Sequence, residues 1–94
     1  MTLSILIPVY NELNYLERFT NNLCKTFEKE NVEYIFINDG SDDGSFEWLK
    51  QYIDKKNNEN YKLINIKNNS GKGNALHQGL HIARGNHILF QDSD

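Results

Sequence analysis

The sequence predicts an α/β fold, a Rossmann-like open parallel sheet in three layers with the element order β-α-β-α-β-α-β. Apolar runs typical of strands alternate along the chain with segments whose apolar residues recur at three- and four-residue spacing. The strand-like runs are mostly apolar, as expected of parallel strands that are covered on both faces. The 94 residues leave room for one domain with one modest core. A doubly wound sheet of this kind predicts the strand order 3-2-1-4 with right-handed crossovers.

The first half of the chain contains two strand–helix pairs. Residues 3–9 form an apolar run that predicts a strand closed by Pro8. The apolar spacing over residues 13–30 predicts an amphipathic helix. Residues 34–38 are rich in β-forming side chains and predict the second strand. A single apolar face over residues 45–56 predicts the second helix.

The second half contains a third strand, a third helix and a fourth strand. Residues 61–67 alternate apolar and polar side chains, and residues 88–91 form a short apolar run, so both segments predict strands. A glycine-rich turn precedes the third helix, and Gly85 is expected at the C′ position that ends it. The buried face of this helix is expected to consist of Ala75, Leu76, Gly79, Leu80, Ile82 and Ala83.

The composition argues against several classes of protein. Ten basic and 13 acidic residues give a net charge of −3, which is unlike a nucleic-acid binder. The single cysteine, Cys24, excludes an internal disulfide framework and a cysteine-rich zinc site, and we expect it to be a packing residue. No stretch of about 18 apolar residues is present, and the first residues do not resemble a signal peptide. We expect a cytoplasmic location, with any membrane association provided by chain beyond residue 94.

Polar residues cluster at the predicted carboxyl ends of all four strands. The strand order reverses between strands 1 and 4, and open α/β sheets bind ligands in the crevice at such a point. A purely structural scaffold does not need carboxylates concentrated at one end of its sheet, so this distribution predicts a ligand site. The four clusters are residues 8–12, 38–44, 68–73 and 92–94.

Asp92 and Asp94 are the candidate metal ligands. In an extended segment, residues two apart point the same way, so the two carboxylates repel each other unless a cation lies between them. Hard divalent cations such as Mn²⁺ or Mg²⁺ prefer oxygen ligands and also bind phosphate oxygens. The alternative is an acidic turn in which an aspartate caps the next helix.

The segment 39–44 resembles a calcium-binding loop only in part. Such a loop requires a bidentate acid at its twelfth position, which is Lys50 here, so the calcium interpretation fails. Asp43 is expected to cap the second helix. That role does not explain Asp39, which lies directly at the strand end, where its carboxylate can accept an N–H from the edge of a nucleobase.

The glycine turn around Lys72 matches neither common nucleotide motif. A P-loop would need glycine where Ile66 stands, and a dinucleotide fingerprint would need glycine where Leu76 stands. Gly71 and Gly73 still free backbone N–H groups at the start of a helix, which suits an anion, and Lys72 adds a positive charge. The alternative is that these glycines merely permit a tight turn.

Three further aromatic side chains have competing interpretations. His77 and His81 have the i, i+4 spacing that can chelate a metal, but they project away from the apolar face of their helix. We therefore expect them to face solvent and do not expect a zinc site. Tyr10 is either a core aromatic or a ring that stacks on a base beyond the end of strand 1.

Taken together, four motifs resemble the family 2 glycosyltransferases. Their order and spacing are similar to the nucleotide-sugar half of the A-type glycosyltransferase fold, and the resemblance covers essentially the whole chain. The Gly-Lys-Gly form of the third motif is most similar to the polyprenyl-phosphate mannosyl- and glucosyltransferases. The motifs are residues 7–12, 38–44, 69–75 and 91–94.

The resemblance implies a role for each matching residue. A nucleotide-diphosphate sugar would be the donor, Mn²⁺ or Mg²⁺ the cofactor, and a glycan or a lipid-linked molecule the acceptor. The family commonly has threonine where Asp42 stands, a departure expected to face solvent and to matter little. The implied nucleoside pocket is lined by Pro8, Tyr10 and Glu12, with Asp39 on the base, Lys72 near the nucleotide, Asp92 near the ribose or metal, and Asp94 on the metal.

The implied reaction is transfer of the sugar to an acceptor hydroxyl, with inversion at the anomeric carbon. A carboxylate base is expected after Asp94, so residues 1–94 would be an incomplete, N-terminal nucleotide-sugar-binding part without turnover of its own. Strand 4 would be an exposed sheet edge, which favours a homodimer.

Two rival functions remain open from the residues. A sugar-phosphate nucleotidyltransferase usually carries a glycine-rich basic loop after strand 1, and Tyr10, Asn11 and Glu12 stand there instead. A non-catalytic receiver-like module has several acids around its phosphoacceptor aspartate. Asp39 is placed suitably for that role, but the end of strand 1 offers only Glu12.

Overall fold

The computed structural model has the predicted α/β architecture. It describes residues 3–27 and 31–93, so Asp94 and the end of the first predicted helix, residues 28–30, lie outside the described residues. The order of elements is β-α-β-α-β-α-β, as predicted. Their bounds are β1 Leu3–Val9, α1 Leu13–Phe27, β2 Val32–Asp39, α2 Ser45–Lys56, β3 Tyr61–Ile66, α3 Lys72–Ile82 and β4 His87–Phe90.

The four strands form one parallel sheet in the order β3-β2-β1-β4, which confirms the predicted order. β1 is central, since Leu3 pairs with Val32 of β2 on one side and with His87 of β4 on the other. The chain therefore leaves β1 in one direction and returns to its other side through β4. The point of reversal lies between β1 and β4, and a crevice opens there beyond their carboxyl ends.

Helices cover the two faces of the sheet unequally. On one face, α1 and α2 pack through Leu16, Leu23 and Leu49 against alternate residues of β1 and β2. On the other face, α3 packs alone, with Ala75 against Leu6, Ile35 and Ile37. The result is three layers, helices–sheet–helix, with the sheet buried between two apolar clusters.

The third helix buries less of its surface than the sequence pattern predicts. Ala75 and Gly79 are buried, as expected, but Leu80 and Ile82 are exposed. A Cβ on Gly79 would lie 3.0 Å from the Leu6 side chain, so α3 packs on the sheet along a narrow line of small residues. Leu80 and Ile82 lie beside that line, where none of the described residues covers them fully. The predicted six-residue face was therefore too wide.

Gly85 does not end α3 as predicted. The C-cap is Ala83, whose backbone is extended at φ −68° and ψ 132°, and Gly85 does not have a positive φ. It lies instead against β1, where an added Cβ would come within 2.5 Å of the Ser4 nitrogen. Its N–H donates to the Ser4 hydroxyl at 2.8 Å. The glycine is needed for a close approach between chain segments rather than for a helix cap.

A buried acid lies near the amino end of the sheet. Glu33 of β2 is fully buried and accepts hydrogen bonds from the Ser4 hydroxyl at 2.8 Å and from the Arg84 backbone N–H at 2.8 Å. Its other oxygen forms ion pairs with Lys62 and, at 3.1 Å, with Arg84 Nε. Burial raises the pKa of the Glu33 carboxyl, but the hydrogen bonds from Lys62, Arg84 and Ser4 outweigh burial and lower it to about 2. No pattern in the sequence predicted this cluster of charged side chains.

Cys24 packs beside two tyrosines, in agreement with its predicted structural role. Its Sγ lies 3.2 Å from the Tyr52 hydroxyl and 3.5 Å from the Tyr61 hydroxyl. Burial raises the pKa of Tyr52, and its contact with Cys24 adds to the shift. The cysteine therefore belongs to the packing between α1, α2 and β3.

Within residues 3–27 and 31–93, none of the helices has both the length and the apolar character needed to cross a membrane. The cellular location expected from the sequence stays a prediction.

Candidate functional site

A cleft of about 270 Å³ lies at the carboxyl ends of β1 and β2, beside the segment that follows β4. It brings together side chains from all four polar clusters of the sequence. Six of its residues are those for which a nucleotide-binding role is predicted. The cleft is lined by Pro8, Val9, Tyr10, Glu12, Asp39, Asn69, Lys72, Asp92 and Ser93.

Tyr10 projects from the end of β1 with 49% of its surface exposed. It is therefore not a core aromatic, which removes one of its two interpretations. The next residue, Asn11, has a left-handed backbone with φ 51°, and this turns the chain away from the strand toward α1. The ring thus lies on the wall of the cleft, where a flat ligand can contact it.

The loops that follow β1 and β2 are joined by hydrogen bonds. The Asn11 N–H donates to the Ser41 hydroxyl at 2.9 Å, and the Asp42 N–H donates to the Asn11 side-chain oxygen at 2.8 Å. The Glu12 N–H donates to the Ser45 hydroxyl at 3.2 Å. These bonds fix the wall of the cleft that carries Tyr10 and Glu12.

Asp43 caps two helices at once. Its Oδ1 accepts the Ser45 N–H at 2.9 Å at the start of α2, and its Oδ2 accepts the Leu13 N–H at 3.1 Å at the start of α1. Burial raises the pKa of Asp43, but the bonds from Ser45 and Leu13 outweigh it, and the net shift is downward. The N-cap position of α2 is Gly44. The predicted capping role of Asp43 is therefore correct, although Asp43 precedes the N-cap by one residue. The Asp43 carboxylate is therefore a structural acid that joins the starts of α1 and α2.

Asp39, at the end of β2, is 3% exposed and lies at the base of the cleft. Its carboxylate accepts bonds from the Ser70 N–H and hydroxyl, both at 2.8 Å, from the Gly71 N–H at 2.9 Å and from the Asn69 side-chain amide at 3.2 Å. The sequence predicted an acceptor for a nucleobase at this position. In the structure the same carboxylate orders the turn that precedes α3.

The backbone around Asp39 requires glycine. Gly40 has φ +75°, and an added Cβ would lie 2.3 Å from the Asn69 nitrogen. Any side chain at this position would push the 69–71 turn away from β2. Gly71, with φ +93°, then directs the chain into α3 and places Lys72 at the first position of the helix.

Lys72 and Asp92 form an ion pair across the cleft. Both side chains are more than half exposed, so the pair contributes little to stability and both charges remain accessible to a ligand. The segment after β4 is held in place by Ser93, which is buried and donates its hydroxyl to the Pro8 carbonyl at 3.3 Å. Asp92 is thus kept at the mouth of the cleft.

The described part of the predicted metal pair is Asp92 alone, because Asp94 lies outside the described residues. Among the described residues, no group of three histidine, cysteine, aspartate or glutamate side chains could hold a metal ion. A cation shared with phosphate oxygens needs only one or two protein carboxylates. The exposed carboxylate of Asp92 at the mouth of the cleft fits that requirement.

Three residues that line the cleft were missed in the sequence analysis as individual site residues: Val9, Asn69 and Ser93. Asn69 and Ser93 lie within the polar clusters 68–73 and 92–94, which were predicted at the strand ends. Their partners are distant in sequence, since Asn69 donates to Asp39 and Ser93 to Pro8. Position in a cluster was the only signal the sequence offered for them.

Known proteins are similar to this chain over nearly its whole length. The family model described as "Glycosyl transferase family 2" matches residues 4–94. A dolichyl-phosphate beta-glucosyltransferase of Dictyostelium discoideum is 35% identical over 99 residues, covering 98% of this chain and 30% of the relative. A poly(ribitol-phosphate) beta-glucosyltransferase of Bacillus spizizenii is 40% identical over 96 residues, covering 100% of this chain and 15% of the relative.

Solved structures show the same architecture. S. aureus TarS 1-349 in complex with UDP superimposes with a TM-score of 0.85 at 32% identity, over 100% of this chain and 28% of that one. The mannosyltransferase PcManGT from Pyrobaculum calidifontis, in complex with GDP-Man and Mn²⁺, gives a TM-score of 0.88 at 22% identity, over 98% and 27% of the two chains. Because its identity is only 22%, the similarity to PcManGT concerns the fold alone. The chain spans less than a third of the length of each of these four proteins.

Proposed function

The chain belongs to glycosyl transferase family 2, and from this membership we propose that its cleft binds the nucleoside diphosphate of a nucleotide-sugar donor. Residues 1–94 would be the N-terminal, donor-binding part of a glycosyltransferase domain. The observation that carries the proposal is the convergence of side chains from four separate segments on one cleft. A scaffold without a ligand has no need of this convergence.

The nucleoside is proposed to lie between Tyr10 and Asp39. The exposed ring of Tyr10 suits stacking on a base, and stacking tolerates any base. Asp39 is at the bottom of the cleft, where its carboxylate would accept an N–H from the edge of the nucleobase. Pro8 and Glu12 would complete the pocket. Because Asp39 also binds the 69–71 turn, base recognition and the position of that turn would be linked.

The diphosphate is proposed to lie between Lys72 and Asp92. The Lys72 ammonium is exposed at the amino end of α3, where the helix dipole also favours an anion. Asp92 and Asp94 would hold Mn²⁺ or Mg²⁺ against the phosphate oxygens. When bound, the cation would supply positive charge that stabilises the leaving nucleoside diphosphate. The Lys72–Asp92 pair would then be replaced by contacts of each residue with the ligand.

The reaction proposed for the whole protein is a single displacement. The acceptor hydroxyl oxygen forms a bond to the anomeric carbon while the bond from that carbon to the diphosphate oxygen breaks, which inverts the configuration. The hydroxyl proton passes to a general base. We propose that this base lies outside residues 1–94, because the chain spans less than a third of the length of these relatives. Residues 1–94 alone would then bind donor without turnover.

The acceptor is proposed to be a glycan or a lipid-linked molecule. Two relatives are named for dolichyl phosphate and for poly(ribitol-phosphate), and both are phosphate-containing acceptors. A role in cell-wall or polysaccharide synthesis fits the second name. Membrane association through chain beyond residue 94 would bring a lipid-linked acceptor to the cleft.

A homodimer is proposed through β4. Within the described residues, β4 pairs on one side only, with β1. Ile88 and Phe90 are exposed, and their pairing with Ser4 and Leu6 places them on the sheet face against which α3 packs. Antiparallel pairing of two β4 strands would satisfy the free backbone groups and bring these apolar side chains of two copies together.

The donor-binding proposal is tested by thermal unfolding with Mn²⁺, uridine diphosphate and guanosine diphosphate, singly and in pairs. We expect one diphosphate together with Mn²⁺ to raise the melting temperature, with little effect of either component alone. Equal stabilisation by free phosphate would contradict recognition of a nucleoside. The nucleotidyltransferase alternative has no support from the loop after β1, where Tyr10 and Glu12 line the cleft in place of a glycine-rich basic loop.

A further inference from the structure

Helix α3 carries two exposed histidines whose ring nitrogens lie within hydrogen-bond distance of each other. His77 Nε2 and His81 Nε2 are 3.1 Å apart, and the ring centroids are 4.6 Å apart with the ring planes at 83°. Neither residue lines the cleft, and the proposed sugar transfer uses neither of them. In the chain without metal, one imidazole donates a hydrogen bond to the other, in a direction set by their tautomers.

The separation of the two nitrogens suits a shared metal ion. Metal–imidazole bonds are about 2.0–2.1 Å long, so two nitrogens 3.1 Å apart would subtend about 100° at a bound ion. That angle lies between the right angle of square-planar or octahedral geometry and the wider angle of a tetrahedron. The helix fixes the spacing, because residues four apart lie on the same face one turn apart.

We propose that His77 and His81 form a two-histidine site for a divalent transition-metal ion, Cu²⁺ or Ni²⁺, with water completing the coordination. Imidazole nitrogens suit these ions, and Cu²⁺ binds most tightly in the usual order of divalent metals. A structural zinc ion normally takes four protein ligands, so a pair of histidines suits an ion that completes its coordination with water.

The surroundings of the pair do not oppose a cation. Asn74 and Gln78, each three residues before one of the histidines, are exposed and uncharged. Arg84 follows His81 by three residues, but its Nε is paired with the buried carboxylate of Glu33 at 3.1 Å. The guanidinium is therefore held toward the sheet, and the side of the histidine pair that faces solvent is open to water ligands.

This site differs in chemistry from the proposed donor cation site. Asp92 and Asp94 offer oxygen ligands, which Mg²⁺ and Mn²⁺ prefer, whereas the histidine pair offers nitrogen. Transition metals used to replace Mn²⁺ in an assay of sugar transfer would bind α3 as well. Binding of Ni²⁺ or Cu²⁺ to the chain would therefore not by itself report on the aspartates.

The test is titration of the 94-residue chain with Ni²⁺ by calorimetry, and with Cu²⁺ while following the histidine ring resonances by NMR. The matched control is the double variant Gln78→His/His81→Gln, which keeps the number of histidines but places two of them on adjacent positions. We expect one Ni²⁺ per chain, bound at least about tenfold more tightly by the wild type than by this variant, because the second ligand acts intramolecularly. Cu²⁺ should broaden the His77 and His81 resonances before that of His87.

The same titration on His87→Gln should give the wild-type affinity, and Ni²⁺ should raise the melting temperature of the wild type more than that of the double variant. Equal Ni²⁺ affinity of the wild type and the double variant would overturn the proposal. So would broadening of His87 at lower Cu²⁺ than the other two rings. Far-UV circular dichroism of each variant checks that α3 is still formed.

Discussion

The carboxylate of Asp39 accepts the backbone N–H of Gly71 at 2.9 Å, so the last residue of β2 positions the residue that precedes α3. Asp39 therefore has two parts in the molecule. It orders the turn that precedes Lys72. It also lies at the bottom of the cleft, next to the proposed position of the donor's nucleobase.

Replacing Asp39 by asparagine should destabilise the protein and abolish donor binding. One acceptor oxygen becomes an NH₂ group that faces N–H donors, and a buried group left without its partner costs about 2 kcal/mol. Urea unfolding measures the loss, and calorimetry with a nucleoside diphosphate measures binding. Asp42→Asn is the control, since Asp42 is exposed and only its backbone N–H donates to Asn11. Equal free energies of unfolding for the two variants would show that the four hydrogen bonds to the Asp39 carboxylate do not stabilise the protein.

Tyr10→Ala should weaken nucleoside diphosphate binding by about tenfold while leaving stability almost unchanged, since stacking on a base contributes about 1–3 kcal/mol. The matched control is Tyr15→Ala, because Tyr10 and Tyr15 are 49% and 56% exposed and Tyr15 does not line the cleft. Calorimetry measures both affinities. A similar loss in both variants would place the base elsewhere.

Lys72→Gln should weaken binding of a nucleoside diphosphate severalfold and leave binding of the plain nucleoside unaltered, because the ammonium acts on the phosphates alone. Lys50→Gln is the control, since Lys50 is exposed on α2 and does not line the cleft. The comparison of the two ligands by calorimetry distinguishes loss of a phosphate contact from damage to the whole cleft. An equal loss for both ligands would contradict the assignment.

Acid should destabilise the protein through Glu33. Its pKa is lowered from 4.5 to about 2 in the folded state, so its contribution is fully present above pH 4.5 and is lost as the pH falls toward 2. The shift corresponds to about 3 kcal/mol over that interval. Urea unfolding between pH 5 and pH 2.5, with the pH values chosen to span this window, measures the slope. Glu33→Gln should be less stable at neutral pH and should show a shallower slope, whereas the exposed Glu47→Gln should retain the wild-type slope.

Phe90→Lys should prevent self-association, because it places a charge on the exposed edge strand that is proposed to pair with a second copy. Tyr15→Lys is the control, since Tyr15 and Phe90 are 56% and 53% exposed and lie on different elements. Sedimentation velocity over a range of concentrations should show a dimer for the wild type and for Tyr15→Lys, and a monomer for Phe90→Lys. A wild-type chain that stays monomeric at every concentration would end the dimer proposal.

The order of the strands and six of the nine residues that line the cleft could be predicted because they follow from local patterns. Apolar runs mark the strands, and parallel strands bring their carboxyl ends to one edge, so Tyr10, Asp39 and Asp92 had to lie near one another once the order 3-2-1-4 was inferred. Residue type and position in the element were sufficient for this inference.

Contacts between distant segments could not be predicted in the same way. Asp39 binds a turn about 30 residues later, and Glu33 binds Arg84, which lies 51 positions away. Glu33 precedes the predicted second strand, residues 34–38, and a single sequence does not show which charged residues will contact it. The exposure of Leu80 and Ile82 depends on how narrowly α3 packs on the sheet, which helical periodicity does not specify.

The central place of β1 has a consequence for synthesis on the ribosome. β1 leaves the exit tunnel before the other three strands, yet one of its edges must wait for β4, and Ser93 reaches the Pro8 carbonyl across 85 positions. Until that late segment emerges, the nascent chain can form β1, β2, β3 and their helices but not the wall that carries Asp92. Ligand binding would therefore be acquired only when β4 pairs with β1, after β1, β2 and β3 are already assembled.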